Sequence, residues 1–186
     1  MGNMDIILLV IIVSTLVVGF FWGAIRSLML LAAWSLAFVA GSYLKLELGS
    51  YLASQWDNYV ATFSEMAAFG LIFIGLLVAA PIIIILITRG SQRLTRSQVL
   101  DDLIGAIFGA LVAVLSIAGL MIVMSTFYGT DPGLVVNAIG GPEWTAQLYE
   151  SLVNSNVGSA IAENVVPILG TILGPILPES VREVMG

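Results

Sequence analysis

Four long stretches of this sequence contain no charged residue, and they constrain the fold more than any other feature. They cover residues 6–22, 28–44, 66–88 and 103–128. Crossing the hydrocarbon core of a bilayer takes roughly 20 apolar residues in a helix, because every backbone polar group must be paired within its own segment. The sequence therefore predicts an all-α fold, a polytopic membrane bundle of four transmembrane helices.

Composition agrees with a membrane protein and excludes several kinds of chemistry. Only 10% of the 186 residues are charged and 59% are hydrophobic, whereas soluble domains carry about 25% charged residues. The chain has no cysteine and no histidine, which excludes disulfides, thiolate zinc sites and histidine-dependent catalysis. Its six basic residues are too few for a nucleic-acid interface. We therefore predict a protein that is not an enzyme and has no metal or cofactor.

The placement of basic residues predicts the topology. The loop after the first span holds Arg26, and the loop after the third holds Arg89, Arg93 and Arg96. The segments at the opposite ends of the spans are acidic on balance. Since short loops rich in Lys and Arg stay in the cytoplasm, both termini are predicted to be extracytoplasmic. The first span lacks the basic start and the cleavage site of a signal peptide, so it is predicted to be a retained helix.

The connections between the spans give further local predictions. Only residues 23–27 separate the first two spans, which predicts a tight antiparallel hairpin. Pro81 lies inside the third span and predicts a kink there. The segment between Lys45 and Glu65 has apolar residues every four positions, typical of a short helix lying along the membrane surface. These positions are Leu44, Leu48, Leu52 and Trp56.

The chain after residue 128 differs from the four spans. We divide it into a four-span membrane domain, residues 1–128, and an extracytoplasmic, membrane-associated tail of amphipathic and irregular helices, residues 129–186. The tail contains an apolar stretch, residues 161–177, that is interrupted by two prolines and two glycines. Such breaks would leave backbone groups unpaired in lipid, so a surface or partner-docking segment is favoured over a fifth span.

Small residues and a few charges are the remaining candidates for function. Gly19 and Gly23 are four apart, as are Gly105 and Gly109, so each pair shares a helix face that permits close packing. This packing could lie within one bundle or between subunits. Asp101 and Asp102 open the fourth span, where they could cap the helix or form an ion or proton site at the cytoplasmic mouth. We also consider a pair between Arg26 and Asp101, which share the same predicted depth.

Two segments resemble the colicin V production (CvpA-like) family of bacterial inner-membrane proteins. One is Met4-Asp5-Ile6 followed by an apolar helix into Gly19-Phe20-Phe21-Trp22-Gly23-Ala24-Ile25-Arg26, and the other is residues 100–109, LDDLIGAIFG. Ser27 stands where the family pattern often has glycine. The positions that match the family pattern, and that we take as packing or motif residues, are Asp5, Gly19, Gly23, Arg26, Asp101, Gly105, Phe108 and Gly109.

The resemblance implies a multi-pass protein of the bacterial inner membrane that acts as an accessory or assembly factor, linked to toxin production and export and to envelope homeostasis. Its expected partners are the lipid bilayer and other envelope proteins or further copies of itself, with no nucleic acid. The alternative is a small oligomeric transporter or channel with Asp101, Asp102 and Arg26 at its mouth. That alternative requires polar residues lining a path at mid-membrane, and the candidates are Ser14, Thr15, Ser35, Ser116, Ser125 and Thr126.

Overall fold

The computed structural model describes residues 2–56, 61–88, 98–128 and 142–178, and all regular structure in these ranges is helical. The helices are α1 Asn3–Gln55, α2 Ala61–Ile87, α3 Gln98–Tyr128, α4 Glu143–Val153, α5 Asn156–Asn164 and α6 Val166–Leu173, followed by a 3-10 turn Gly174–Ile176. Four helical stretches are long and apolar enough to cross a membrane: Asn3–Gln55, Ala61–Ile87, Gln98–Tyr128 and Asn156–Ile176. The prediction of an all-α membrane bundle is confirmed.

Helix α1 contains one non-helical residue, Gly23, where φ is 76° and ψ is 175°. This backbone conformation is open essentially only to glycine. We call residues 3–22 the first arm and residues 24–55 the second arm. The first arm runs antiparallel to α3, since Thr15 contacts Gly109 and Gly23 contacts Asp101. The chain therefore reverses at a single residue, without a loop.

The second arm runs in the same direction as α3. Trp34 and Phe38 contact Gly119, and the Lys45 ammonium lies 5.5 Å from the ring centroid of Phe127. With the first arm running the opposite way, the two arms form the antiparallel hairpin that the short connection predicts. Helix α3 packs against both arms. Of the 18 most apolar consecutive residues in each helix, 56% are buried in α3, against 17% in α1 and 17% in α2. Helix α3 is the central helix of the bundle.

Helix α2 packs antiparallel to the second arm. Gly49 lies against Glu65 and Gly41 against the ring of Phe69, and the far ends meet at Arg26 and Thr88. Four aromatic rings fill the space between the second arm and α2, with centroid separations of 5.4–6.2 Å: Trp34, Phe38, Phe69 and Phe73. Pro81 lies inside α2, which remains one helix in the structure. Little of α2 reaches α3, so most of its surface faces the bilayer.

The second arm continues as a helix through Gln55, so the prediction of a separate helix along the membrane surface after Leu44 is wrong. The Lys45 side chain is only 5% exposed, because its ammonium packs over the ring of Phe127. Gly49 then lets the backbone of α2 approach closely at Glu65. At 1.5 Å per residue the second arm is about 48 Å long, which exceeds the roughly 30 Å hydrocarbon core.

The tail helices pack against the end of the bundle that holds Asp5 and Tyr128. Apolar side chains of α4, α5 and α6 join one buried cluster with residues of α1 and α3, including Leu8 and Tyr128. Residues 156–176 are divided into two helices at Val165, and their ends contact the bundle at Asp5 and at Tyr43. That the tail does not cross the membrane stays a prediction, since this stretch is long and apolar enough to do so. Its extracytoplasmic placement and the division at residue 128 stay predictions.

Candidate functional site at the Gly23 turn

Most of the positions singled out in the sequence meet at one end of the bundle, where α1 reverses and α3 begins. Gly19 and Gly23 of α1 face Gly105, Gly109 and Asp101 of α3. A Cβ on Gly105 would lie 2.7 Å from the carbonyl carbon of Gly23, and one on Gly19 would lie 2.9 Å from Cα of Gly109. Both distances are shorter than real contacts, and backbone cannot rotate away. These glycine faces therefore close on each other within the chain, while packing between subunits stays an open alternative.

Asp101 occupies the first turn of α3 and is 5% exposed. Its Oδ2 lies where a side chain at Gly23 would begin, so the absence of a Cβ at the turn makes room for this carboxylate. Its Oδ1 is buried and has no hydrogen-bond partner among the described residues. The positive end of the α3 dipole favours a carboxylate here, consistent with the capping interpretation. Asp102, the next residue, is half-buried.

Arg26 does not pair with Asp101. Its Nε donates a hydrogen bond to Oγ1 of Thr88 at 3.0 Å, and the Thr88 hydroxyl donates in turn to the carbonyl of Ile84 at 2.7 Å. In the described part of the chain Arg26 forms no ion pair with an acidic side chain. The reason is the reversal at Gly23, which places Arg26 on the second arm facing α2 while Asp101 faces the turn itself. The hypothesis of an Arg26–Asp101 pair is therefore wrong.

Asp5 and Phe108 lie outside this cluster. The Asp5 carboxylate is 1% exposed and accepts three hydrogen bonds, from the backbone N–H of Gly2 (2.9 Å), the backbone N–H of Val157 (3.0 Å) and Nδ2 of Asn156 (3.0 Å). It thus caps α1, as predicted, and also holds the first turn of α5. Phe108 is half-buried on α3.

Sequence reasoning missed the contacts that join the tail to the bundle. Oη of Tyr128 and Oγ1 of Thr145 form a buried hydrogen bond, and the Tyr128 ring stacks on Tyr149 with centroids 5.7 Å apart. Burial raises the pKa of the Tyr149 phenol above its usual value. The apolar spacing of Trp144, Leu148 and Leu152 does not reveal this joint, because Trp144 is 63% exposed and the buried face is formed by Thr145, Ala146, Tyr149 and Leu152.

A comparison with protein families matches residues 4–139 to the family described as "Colicin V production protein". The chain belongs to the colicin V production protein family. This confirms the resemblance seen in the sequence, and the match includes both segments that carry it. The described tail, residues 142–178, lies beyond the match. A search of curated proteins and a search of solved structures each found no match.

The cluster at the Gly23 turn of this colicin V production family member contains the Asp101 carboxylate, the Arg26 guanidinium, the hydroxyls of Thr88 and Ser27, and closely packed backbone. Among the described residues no group of three acidic side chains lies close enough to hold a metal ion. What the arrangement can do physically is fix the relative positions of the four spans. The glycine contacts lock the first arm to α3, and the Arg26–Thr88 bond ties the second arm to α2.

Proposed function

We propose that this protein is a non-enzymatic accessory or assembly factor of the bacterial inner membrane that supports the production and export of a peptide toxin and the maintenance of the envelope. The family match over residues 4–139 carries this proposal. The geometry supports it, because the residues that match the family pattern pack helices together instead of forming a reactive centre. In this view the membrane bundle is a scaffold and its surfaces recruit other components.

The rival proposal, a small transporter or channel, needs polar groups that face a continuous path. The hydroxyls of Thr15, Ser35 and Ser116 each hydrogen-bond a carbonyl on their own helix, three or four residues earlier. Those of Ser125 and Thr126 both bond the carbonyl of Ile122. A hydroxyl that satisfies its own helix offers little to a passing ion. The accessory role is therefore the better-supported proposal.

Two measurements on the full chain test this role. The first is toxin secretion in a producing host that lacks its own copy of the gene, complemented with the wild-type protein or with Gly105→Ala. Gly75→Ala is the matched control, because a Cβ at Gly75 meets nothing within 4 Å. We expect Gly75→Ala to restore the amount of secreted toxin and Gly105→Ala to fail.

The second measurement is the mass of the protein extracted in mild detergent, by light scattering and native mass spectrometry, together with ion flux in proteoliposomes. An accessory factor should co-purify with envelope proteins and show no flux. A discrete homo-oligomer that conducts ions, combined with normal toxin secretion in the deletion host, would contradict the proposal and favour the transporter.

A further inference from the structure

An apolar groove runs along the outside of the bundle between the second arm and α2, with a volume of about 520 Å³. Its floor and walls are made partly by alanines, whose small side chains leave the space open. Leu36 and Ile87 on its rims are 72% and 66% exposed, so the groove opens sideways into the bilayer. The lining residues that matter here are Met29, Ala33, Leu36, Ala79, Ile84 and Ile87.

The groove ends at a fixed positive charge. Residues 26, 29, 33, 36 and 40 are spaced three or four apart, so Arg26 lies on the same face of the second arm as the groove residues that follow it. On α2, Thr88 directly follows Ile87. The Nε–Oγ1 bond of 3.0 Å between Arg26 and Thr88 therefore lies just beyond the lining residues Met29 and Ile87, and it holds the guanidinium next to this end of the groove. Arg26 is half-buried, and among the described residues its one hydrogen bond uses Nε, which leaves the Nη groups to bind an anion.

We propose that this groove is a binding site for one anionic phospholipid, with its phosphate at Arg26 and an acyl chain between the second arm and α2. Residues 29–40 provide about 17 Å of apolar wall at 1.5 Å per residue, enough for much of one membrane leaflet. The planar guanidinium matches a phosphate in geometry and charge, and its bond to Thr88 orients it before the lipid arrives. The site is distinct from the glycine packing and does not depend on the proposed role in toxin production.

A second groove provides an internal control. It lies between the first arm and α3, has a similar volume of about 580 Å³, and includes Ala106, Ala110 and Val114 in its lining. Both linings are apolar, but Arg26 adjoins the end of the first groove, whereas Asp101 and Asp102 directly precede Leu103 in the lining of the second. If apolar shape alone retained lipid, the two grooves would behave alike. The proposal instead requires that retention and headgroup preference belong to the groove that ends at Arg26.

The test is native mass spectrometry of the full-length protein, titrated in mild detergent with phosphatidylglycerol or with phosphatidylcholine of the same acyl chains. We expect one lipid to bind with an anionic preference of about fivefold, the size that a single arginine near a headgroup provides. Arg26→Gln should abolish the preference and Arg26→Lys should keep most of it. Ala33→Leu should lower binding of both lipids by filling the groove, whereas Ala110→Leu in the second groove should leave binding unchanged.

Thermal unfolding of each variant establishes that it is folded, and Ala79→Leu on the opposite wall replaces Ala33→Leu if the latter does not fold. The proposal is overturned if Arg26→Gln leaves the preference intact, or if Ala110→Leu lowers binding as much as Ala33→Leu. It is also overturned if the wild type shows a homodimer without retained lipid that Ala33→Leu converts to monomer, since the groove would then hold a second copy of the chain.

Discussion

The Asp5 carboxylate accepts a hydrogen bond from the backbone N–H of Val157 at 3.0 Å, joining positions 152 residues apart in the chain. The same carboxylate accepts from Gly2 and from the Asn156 side chain, so it serves the first turns of α1 and α5 together. Helix N-termini expose N–H groups and attract negative charge. A single residue near the start of the sequence thereby holds the tail on the membrane bundle.

We expect Asp5→Ala to release the tail, because three hydrogen bonds to a buried carboxylate would be lost together. Limited proteolysis should cut within residues 142–178 faster than in the wild type, and the thermal unfolding temperature should fall by several degrees. Glu163→Ala is the control, since this carboxylate is exposed on α5. Equal cleavage rates for Asp5→Ala and the wild type would show that Asp5 does not hold the tail.

Glycine-to-alanine substitutions should separate the packed glycines from the exposed ones. A Cβ at Gly105 would lie 2.7 Å from the backbone of Gly23, so Gly105→Ala should destabilise the protein by about 1–3 kcal/mol, as overpacking does. A Cβ at Gly75 on α2 would meet nothing within 4 Å, so Gly75→Ala should be neutral or should stabilise the protein by up to about 1 kcal/mol. Denaturant unfolding in detergent measures both. If Gly105→Ala is as stable as Gly75→Ala and instead dissociates an oligomer, the glycine face lies between subunits.

A double-mutant cycle on the free energy of unfolding should show that Arg26 is coupled to Thr88. We expect Arg26→Gln and Thr88→Val to be non-additive by about 1 kcal/mol, since each alone breaks the same half-exposed hydrogen bond. The corresponding cycle with Arg26→Gln and Asp101→Asn should give a coupling near zero. For the same reason, the reversed pair Arg26→Asp with Asp101→Arg should not restore stability lost in the single variants. Restoration by the reversed pair would mean that these two charges do meet.

The sequence predicts those parts of the fold that depend on local pattern. Uncharged runs of sufficient length identify the four spans, and the five residues between the first two require a hairpin. The same reasoning fails for residues 45–55, because Lys45 and Glu47 have the composition of a polar loop. In the structure Lys45 packs over Phe127 and Gly49 lies against Glu65, and both of these partners are distant in sequence.

The glycine faces and Asp101 of the candidate site could be predicted from the sequence, whereas Thr88 as the partner of Arg26 could not. Four-residue spacing identifies small faces on Gly19–Gly23 and Gly105–Gly109, and their contact follows from antiparallel packing. Depth in the membrane suggested a partner for Arg26, but depth does not specify which side of a helix a residue occupies. The reversal at Gly23 determines on which side of the second arm Arg26 lies, and that side faces α2. No local pattern contains the partners of Asp5, which belong to a different part of the chain.

Cysteine labelling can test the predicted orientation without removing any native thiol, since the chain has no cysteine. Asn154→Cys lies on the tail and Gln98→Cys at the start of α3, at opposite ends of the bundle, and both positions are exposed. With the termini outside, an impermeant maleimide should label Asn154→Cys in intact spheroplasts and Gln98→Cys only after lysis. The reverse pattern would show that the bundle is inserted the other way, and would place the Arg26 end outside.

The last prediction concerns the turn itself. Gly23→Ala should destabilise the protein for two separate reasons: its φ of 76° strains any side-chain-bearing residue by about 1–3 kcal/mol, and its Cβ would overlap Oδ2 of Asp101. Asp101→Gly in the same chain removes the overlap, and the single variant Asp101→Gly measures the separate cost of losing the helix-terminal carboxylate and adding a glycine. The double variant should therefore lose less stability than the two single variants lose in sum. Should Asp101→Gly bring no recovery, strain alone would account for the loss, and the close fit of the carboxylate to the turn would carry no energetic weight.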